Sequence, residues 1–144
     1  MSHKRLLIPG PTESPIEILQ QQTRWLIGHR GAEYTALYTG IMDKLGKYFE
    51  TKHNRTVLTA SGTLWMDMTA RTMVKERALA GVCGAFSKRM YETIRDSGKQ
   101  VDPLKVADGQ AIKPDMVMEA LAKNKYDTVA IVHNETATGV RNPI

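Results

Sequence analysis

The sequence predicts an α/β fold in which an N-terminal arm precedes part of a larger domain built on a mainly parallel sheet. Short apolar segments that end in glycine or polar residues alternate with segments whose apolar residues recur at helical spacing. This alternation is typical of βαβ units, which form parallel sheets with right-handed crossovers. Near the start, residues 6–15 hold three prolines and a glycine, a composition that disfavours helix and predicts an extended arm.

Four helices are predicted from residue spacing and from end signals. Apolar and aromatic residues at three- and four-residue steps predict the first helix over residues 33–50. The same spacing predicts a second helix that begins at about Leu64. The third covers residues 86–98, where a glycine closes it, and the fourth covers residues 113–124, with a proline near its first turn.

Three segments predict strands of the sheet. Residues 54–60 are rich in β-branched side chains, and residues 78–84 form a short apolar run. Residues 126–135 predict an uninterrupted apolar strand of the kind that is buried on both faces. A sheet that ends on such a central strand is incomplete. We therefore expect residues 1–32 to form an arm and interface segment, and residues 33–144 to form an incomplete large domain.

Composition and charge exclude several classes of protein. The chain has 144 residues, of which 42% are hydrophobic and 24% charged, as in ordinary soluble globular domains. Its net charge of +5 is scattered, with no basic run interleaved with aromatic residues, so nucleic-acid binding is not predicted. No apolar run approaches the ~20 residues of a membrane span, and the start does not form a signal peptide.

The single cysteine indicates the redox environment in which the protein is expected. Cys83 has no second cysteine with which to form an intramolecular disulfide, and this favours a reducing environment. Its neighbours are small and apolar, which favours a buried small side chain over a catalytic thiol. No metal site is predicted. We expect a soluble, cytoplasmic protein.

The first candidate site is the turn formed by Ser61, Gly62 and Thr63. It lies between a predicted strand and a predicted helix, so helix N–H groups, two hydroxyls and a glycine surround one point. Such a point suits a phosphate, because the helix N-terminus carries partial positive charge. The simpler alternative is that Ser61 or Thr63 only caps the helix. The glycine spacing and the lysine of a P-loop are absent.

Two further candidates follow the next predicted strands. Phe86 comes after a strand that ends in glycine, and its ring could lie against a planar ligand or belong to the core. Asn134, Glu135, Thr136 and Thr138 supply hydrogen-bond donors and acceptors after the last strand, or form a polar turn. Because the carboxyl ends of parallel strands share one edge of a sheet, the three candidates together would suit a flat, phosphorylated ligand.

The order of these segments resembles a known enzyme family. Six segments follow one another along the chain: PGPTESP, GHRGAEY, LTASGT, CGAFSKRM, IKPDMVMEAL and VHNETATGVRNPI. This order resembles the N-terminal part of the class V aminotransferases of the alanine–glyoxylate and serine–pyruvate type. The match covers nearly the whole chain, and the combination is specific where single motifs would not be. The resemblance implies pyridoxal-phosphate fold type I, with pyridoxal 5'-phosphate as cofactor.

The resemblance also implies roles for individual residues. Ser61, Gly62 and Thr63 match the family's phosphate-binding cup. Phe86 matches the aromatic residue that stacks on the pyridine ring. Thr136 lies in the family's H-x-E-[ST]-x-T-G segment and matches a residue that contacts the ring near its phenolic oxygen.

Two implied roles concern the N-terminal arm. Gly10 lies where the family's arm borders the substrate, and residues 28–30 lie near its subunit interface. Active sites in the family are built where two subunits meet. We therefore expect this protein to form a homodimer or a heteromer.

The resemblance further implies which groups lie outside this chain. The family binds its cofactor covalently through a lysine, pairs the pyridine nitrogen with an aspartate and holds the substrate carboxylate with an arginine. All three positions fall beyond Ile144, so we expect no catalytic residue here and no activity without the remaining C-terminal polypeptide. The complete enzyme would move an amino group from an amino acid to a 2-oxo acid such as glyoxylate or pyruvate.

Two alternatives remain open on the sequence. Another pyridoxal-phosphate enzyme on the same scaffold, such as a cysteine desulfurase or lyase, would share the cofactor site. A non-catalytic subunit that supplies a half-site or an interface to a partner would share the fold.

Overall fold

The structure, a computed structural model, describes residues 4–144. The chain forms two compact units, Met1–Thr59 and Ala60–Ile144. The division into residues 1–32 and 33–144, expected from the sequence, stays a prediction.

The first unit consists of an arm and short helical elements. Residues 6–15 form neither helix nor strand, as the prolines predict. The elements that follow are α1 (Ile16–Gln20), a 3₁₀ turn (Gln21–Thr23) and α2 (Ala32–Tyr48). The prediction of a helix over residues 33–50 is confirmed by α2. None of the residues 4–59 is buried, so the described part of this unit has no apolar core of its own.

The second unit is built on a three-stranded parallel sheet. Its strands are β1 (Arg77–Val82), β2 (Gln100–Lys105) and β3 (Thr128–Ala130), in the order β2–β1–β3. The central strand β1 buries Ala78, Leu79 and Ala80 almost completely. The predicted mainly parallel sheet is therefore confirmed, with the run at residues 78–84 as its centre.

Three helices pack around this sheet. They are α3 (Thr63–Met73), α4 (Ala85–Asp96) and α5 (Pro114–Lys123). The crossover from β1 to β2 contains α4, and the crossover from β2 to β3 contains α5, as in βαβ units. Ala70 of α3 and Ile94 of α4 are fully buried in the core. Gly98 follows α4 with φ +82°, a left-handed conformation that favours glycine and ends the helix.

The strand predicted over residues 54–60 is wrong. These residues form no strand, and Val57 and Leu58 are 57% and 40% exposed. β-Branched side chains favour an extended backbone, but a strand also requires a hydrogen-bonded neighbour. Within residues 4–144 no segment pairs with this one.

The two edge strands also differ from expectation. The strand predicted over residues 126–135 is reduced to the three residues of β3, which pairs only with β1. Val129 is 41% exposed, so the expectation that this strand is buried on both faces is wrong. β2 was not predicted from the sequence. Its segment, QVDPLK, is not an apolar run, and Pro103 disfavours the interior of a strand. An edge strand tolerates a proline, since one of its sides has no neighbour that needs the missing N–H.

A short hairpin follows β3 and ends in a buried asparagine. Its strands are β4 (Asn134–Glu135) and β5 (Val140–Arg141), which pair antiparallel. The side-chain oxygen of Asn142 accepts a hydrogen bond from the Ile112 N–H at 2.7 Å. Its Nδ2 donates to the Val132 carbonyl, also at 2.7 Å. These bonds hold the base of the hairpin against the segment before α5.

Candidate functional site

The N-terminus of α3 is exposed and carries no side-chain cap. Gly62 is the N-cap residue, and no side chain among residues 4–144 makes a capping hydrogen bond at this end. Ser61 and Gly62 are exposed, and Thr63 is half-buried. The hydroxyls predicted to form a phosphate cup therefore remain beside the positive end of a helix that neither of them caps.

Arg89 connects this helix end to the aromatic ring that follows β1. Its Nη1 donates a hydrogen bond to Oγ1 of Thr63 at 3.3 Å, and its Cζ lies 5.9 Å from the centre of the Phe86 ring. No carboxylate in residues 4–144 forms a salt bridge with Arg89. The guanidinium has five N–H donors, so it can bind a further acceptor beside Thr63. The sequence reasoning missed Arg89, although its position three residues after Phe86 on one helix was a usable signal.

Phe86 is the second residue of α4 and lies just beyond the carboxyl end of β1. It is 39% exposed and does not belong to the apolar core cluster. Phe86 is therefore not a core residue, which was the alternative left open by the sequence. An aromatic ring that is open on one side can pack against a planar ligand.

Glu135 caps the N-terminus of α4 from the neighbouring hairpin. One carboxylate oxygen, Oε2, accepts from the Ser87 N–H at 2.8 Å and from the Ser87 hydroxyl at 2.7 Å. The other, Oε1, accepts from the N–H of Phe86 at 3.1 Å and from the N–H of Ala137 at 3.2 Å. Glu135 is only 1% exposed; its two bonds from Ser87 are buried, and those from Phe86 and Ala137 are partly buried.

The environment of Glu135 favours its ionised form. Burial alone would raise the pKa of the carboxyl, since it penalises the charge. The hydrogen bonds from Ser87, Phe86 and Ala137 outweigh burial, and the pKa is lowered from its ordinary value. The positive end of α4 acts in the same direction. The carboxylate is thus a resident anion at this helix end.

The polar turn after β4 presents its threonines differently. Thr136 is exposed, whereas Thr138 donates a hydrogen bond to the Cys83 carbonyl at 3.5 Å. Cys83 itself is 1% exposed, and its sulfur accepts from Nδ2 of Asn142 at 3.3 Å. The prediction that Cys83 is a buried small side chain is confirmed.

The structure links the candidate residues of the second unit in pairs. Arg89 contacts both Thr63 and Phe86, and Glu135 binds the backbone of Phe86 and directly precedes Thr136. Gly10 lies in the first unit, where it is exposed, and its role beside the substrate stays a prediction.

The described residues offer neither a metal-binding cluster nor a membrane-spanning helix. Residues 4–144 contain no group of three or more histidine, cysteine, aspartate or glutamate side chains that could hold a metal ion. Among the same residues, no helix is long and apolar enough to cross a membrane.

The chain is an α/β protein with a mainly parallel sheet and polar groups beyond the carboxyl ends of its strands, which is the edge where proteins of this class place their ligand sites. The family model of the class-V aminotransferases matches residues 17–144. The chain belongs to the class-V aminotransferase family. The resemblance drawn from the order of its motifs is confirmed.

Relatives and solved structures agree with this assignment. An uncharacterised aminotransferase of Methanocaldococcus jannaschii is 38% identical over 98% of this chain and 37% of its own length. Alanine–glyoxylate aminotransferase 1 of Saccharomyces cerevisiae is 29% identical over 94% of this chain and 38% of its own length. The crystal structure of an alanine–glyoxylate aminotransferase from Nostoc sp. matches with a TM-score of 0.90 and 28% identity, over 99% of this chain and 39% of that one. The chain thus spans less than two fifths of the length of each of these relatives.

Proposed function

We propose that this chain supplies part of the cofactor site of a pyridoxal-phosphate-dependent aminotransferase. The complete enzyme transfers an amino group from an amino acid to a 2-oxo acid such as glyoxylate or pyruvate. The observation that carries the proposal is Arg89, whose guanidinium contacts both Thr63 at an uncapped helix end and the exposed ring of Phe86. An anion donor set beside an aromatic face suits a ligand with a phosphate and a flat ring. Membership of the family and the names of the relatives support the same activity.

The groups on this chain fit pyridoxal 5'-phosphate. The positive end of α3, the Thr63 hydroxyl and the Arg89 guanidinium can hold the phosphate. Phe86 offers a ring face to the pyridine, and Thr136 offers a hydroxyl to the phenolic oxygen. When bound, the cofactor supplies an electron sink for the substrate's α-carbon. The part of this chain is to bind and orient it.

The remaining components of the active site belong to other segments on this proposal. The lysine that holds the cofactor, and that moves the proton at the substrate's α-carbon, lies in the rest of the polypeptide. Residues 1–144 alone are then inactive, and their partners are that polypeptide and a second subunit. Gly10 borders the substrate, and residues 28–30 lie at the subunit interface. A cytoplasmic location stays a prediction from the sequence.

Thr63→Val in the full-length protein tests the phosphate cup. The substitution removes a hydroxyl and keeps the shape, so loss of a hydrogen bond to a charged group should weaken cofactor binding by roughly ten- to a hundredfold. Thr72→Val is the matched control, because Thr72 lies on the same helix and its hydroxyl donates to the Met68 carbonyl. The dissociation constant is measured by titrating the cofactor-free protein with pyridoxal 5'-phosphate and recording absorbance.

Two results would contradict the proposal. One is a wild-type protein that does not bind pyridoxal 5'-phosphate. The other is an equal loss of affinity in Thr63→Val and Thr72→Val. The activity is tested separately by incubating the full-length protein with amino acids and either glyoxylate or pyruvate, and by following formation of the new amino acid.

A further inference from the structure

We propose that Glu135 is a positioning residue, whose buried carboxylate sets the separation between the Phe86 ring and the turn that carries Thr136. This inference rests on the proposed function, in which Phe86 and Thr136 contact one cofactor. It concerns a residue that touches neither the cofactor nor the substrate and acts through the backbone of its neighbours.

The hydrogen bonds of Glu135 join two segments that are distant in the sequence. Oε1 is shared between the N–H of Phe86 and the N–H of Ala137. One of these residues carries the ring, and the other directly follows Thr136. A shift of the carboxylate would therefore move the ring and the turn relative to each other. Oε2 holds the next residue of the helix, Ser87, through both its N–H and its hydroxyl.

The packing around Glu135 leaves the carboxylate little freedom. The side chain is 1% exposed, and an added Cβ on Gly84 would lie 2.6 Å from both Cγ and Cδ of Glu135. Glycine at position 84 is thus what allows the side chain to pass under the start of α4. Four hydrogen bonds and close packing fix the position of the carboxylate. The carboxylate can therefore hold the Phe86 segment and the Thr136 turn at a fixed separation.

The carboxylate of Glu135 also makes the N-termini of α3 and α4 different from each other. The N-terminus of α4 already binds the carboxylate of Glu135, whereas no carboxylate of the described residues binds the N-terminus of α3. An anionic ligand group beside Arg89 would then lie at the positive end of α3, whereas the positive end of α4 already faces the carboxylate of Glu135. The ring end of the ligand lies at α4, whose donors are engaged. This polarity orients a ligand that has a phosphate at one end and a ring at the other.

Glu135→Gln is the informative variant, because it keeps the size of the side chain. An amide has one acceptor oxygen, so its NH₂ group must face either the Phe86 and Ala137 N–H groups or the Ser87 N–H. In the first orientation the bonds from Phe86 and Ala137 are lost together, and in the second the bond from the Ser87 N–H is lost. In the second orientation the neutral amide oxygen also binds the Phe86 and Ala137 N–H groups more weakly than the carboxylate does. Ser87→Ala is the matched control, since it removes one hydrogen bond to the same carboxylate and leaves the bonds to Phe86 and Ala137 in place.

The experiment compares the wild type with both variants of the full-length protein. It measures the dissociation constant of pyridoxal 5'-phosphate, the visible circular dichroism of the bound chromophore and the thermal unfolding midpoint. Hydrogen–deuterium exchange of the cofactor-free protein reports on the segments around Phe86 and Ala137. Glu135→Gln should weaken binding by about tenfold, change the dichroism and speed exchange in both segments together. Ser87→Ala should lower the unfolding midpoint while binding and dichroism stay as in the wild type.

The outcomes separate this inference from the proposed function. If Glu135→Gln lowers only the unfolding midpoint, with binding and dichroism as in Ser87→Ala, Glu135 is merely structural and the inference is overturned. If the wild type does not bind pyridoxal 5'-phosphate, the proposed function fails. The exchange data then decide the inference alone: faster exchange in both segments supports the link, and faster exchange in one segment contradicts it.

Discussion

Glu135 and Gly84 are in such close contact that position 84 has no room for a side chain. An added Cβ would lie 2.6 Å from the Cγ and Cδ of Glu135, a distance that real Cβ atoms do not show. The φ of Gly84 is 166°, an extended conformation that other residues adopt, so space and not backbone conformation requires the glycine here.

Gly84→Ala should therefore destabilise the protein. Either Glu135 or the start of α4 must move, and overpacking of this kind costs about 1–3 kcal/mol of unfolding free energy. Gly40→Ala is the control, because an added Cβ there meets nothing within 4 Å and Gly40 lies inside α2. That control should be neutral or slightly stabilising, since alanine favours helix by about 0.5–1 kcal/mol. Urea unfolding of both variants measures the loss of stability. Equal midpoints for Gly84→Ala and Gly40→Ala would show that Glu135 can move aside without cost, and would contradict the prediction.

Arg89→Met should weaken binding of pyridoxal 5'-phosphate. The substitution removes the guanidinium beside Thr63 and keeps most of the apolar stem, so the expected loss is about tenfold for one charge-assisted hydrogen bond. Arg95→Met is the control on the same helix, because Arg95 pairs with Asp96 at 2.8 Å. Affinity is measured by equilibrium titration of the full-length protein. The assignment of Arg89 to the phosphate fails if both variants bind the cofactor equally well.

The stability of the protein should fall in acid, partly because of Glu135. Its pKa in the folded protein lies below the ordinary value of 4.5, so its contribution to stability is present above about pH 4.5 and is lost as the pH falls through the folded pKa. The pKa of Asp127 is lowered in the same direction, chiefly by the backbone N–H groups of Arg77 and Glu76. Thermal unfolding between pH 7 and pH 3 should therefore be less pH-dependent in Glu135→Gln than in the wild type. Asp127 should preserve part of the dependence in that variant.

The elements that depend on local sequence were predictable, and those that depend on a partner were not. Helical spacing predicted α2 and α3, and end signals predicted α4 and α5; local sequence suffices because each helix makes its backbone hydrogen bonds within one segment. Residues 54–60 have the composition of a strand, but no segment within residues 4–144 pairs with them. Pro103 disfavours a strand interior, and β2 is a strand because it pairs with β1.

The site shows the same limit. The order of motifs singled out Thr63, Phe86 and Thr136, whose roles remain predictions. The contacts that join them come from Arg89 and Glu135, at sequence separations of 26 and 49 residues. No local pattern specifies contacts over such separations. Two signals were available. Arg89 follows Phe86 by three residues on one helix, and a glutamate in a polar turn after a strand is a candidate to cap the neighbouring helix.

Exposed apolar side chains predict that residues 1–144 do not form a stable monomer when produced alone. Leu7, Trp25 and Leu26 are 93%, 97% and 100% exposed, and none of the residues 4–59 is buried. Apolar side chains exposed to this extent favour association with another surface. The edge strand β3 adds unpaired backbone groups beside Val129, which is 41% exposed.

We therefore expect residues 1–144 to self-associate or to bind a hydrophobic dye, as measured by light scattering and dye fluorescence. Leu26→Ser should reduce dye binding, because it replaces a fully exposed apolar side chain with a polar one. Ala122→Ser is a control for the added hydroxyl, since this exposed position on α5 has little apolar surface to lose. A compact monomer that unfolds cooperatively and binds no dye would contradict the prediction. It would mean that the described fold buries its apolar surface without a partner, and the expected dimer would lose its physical basis.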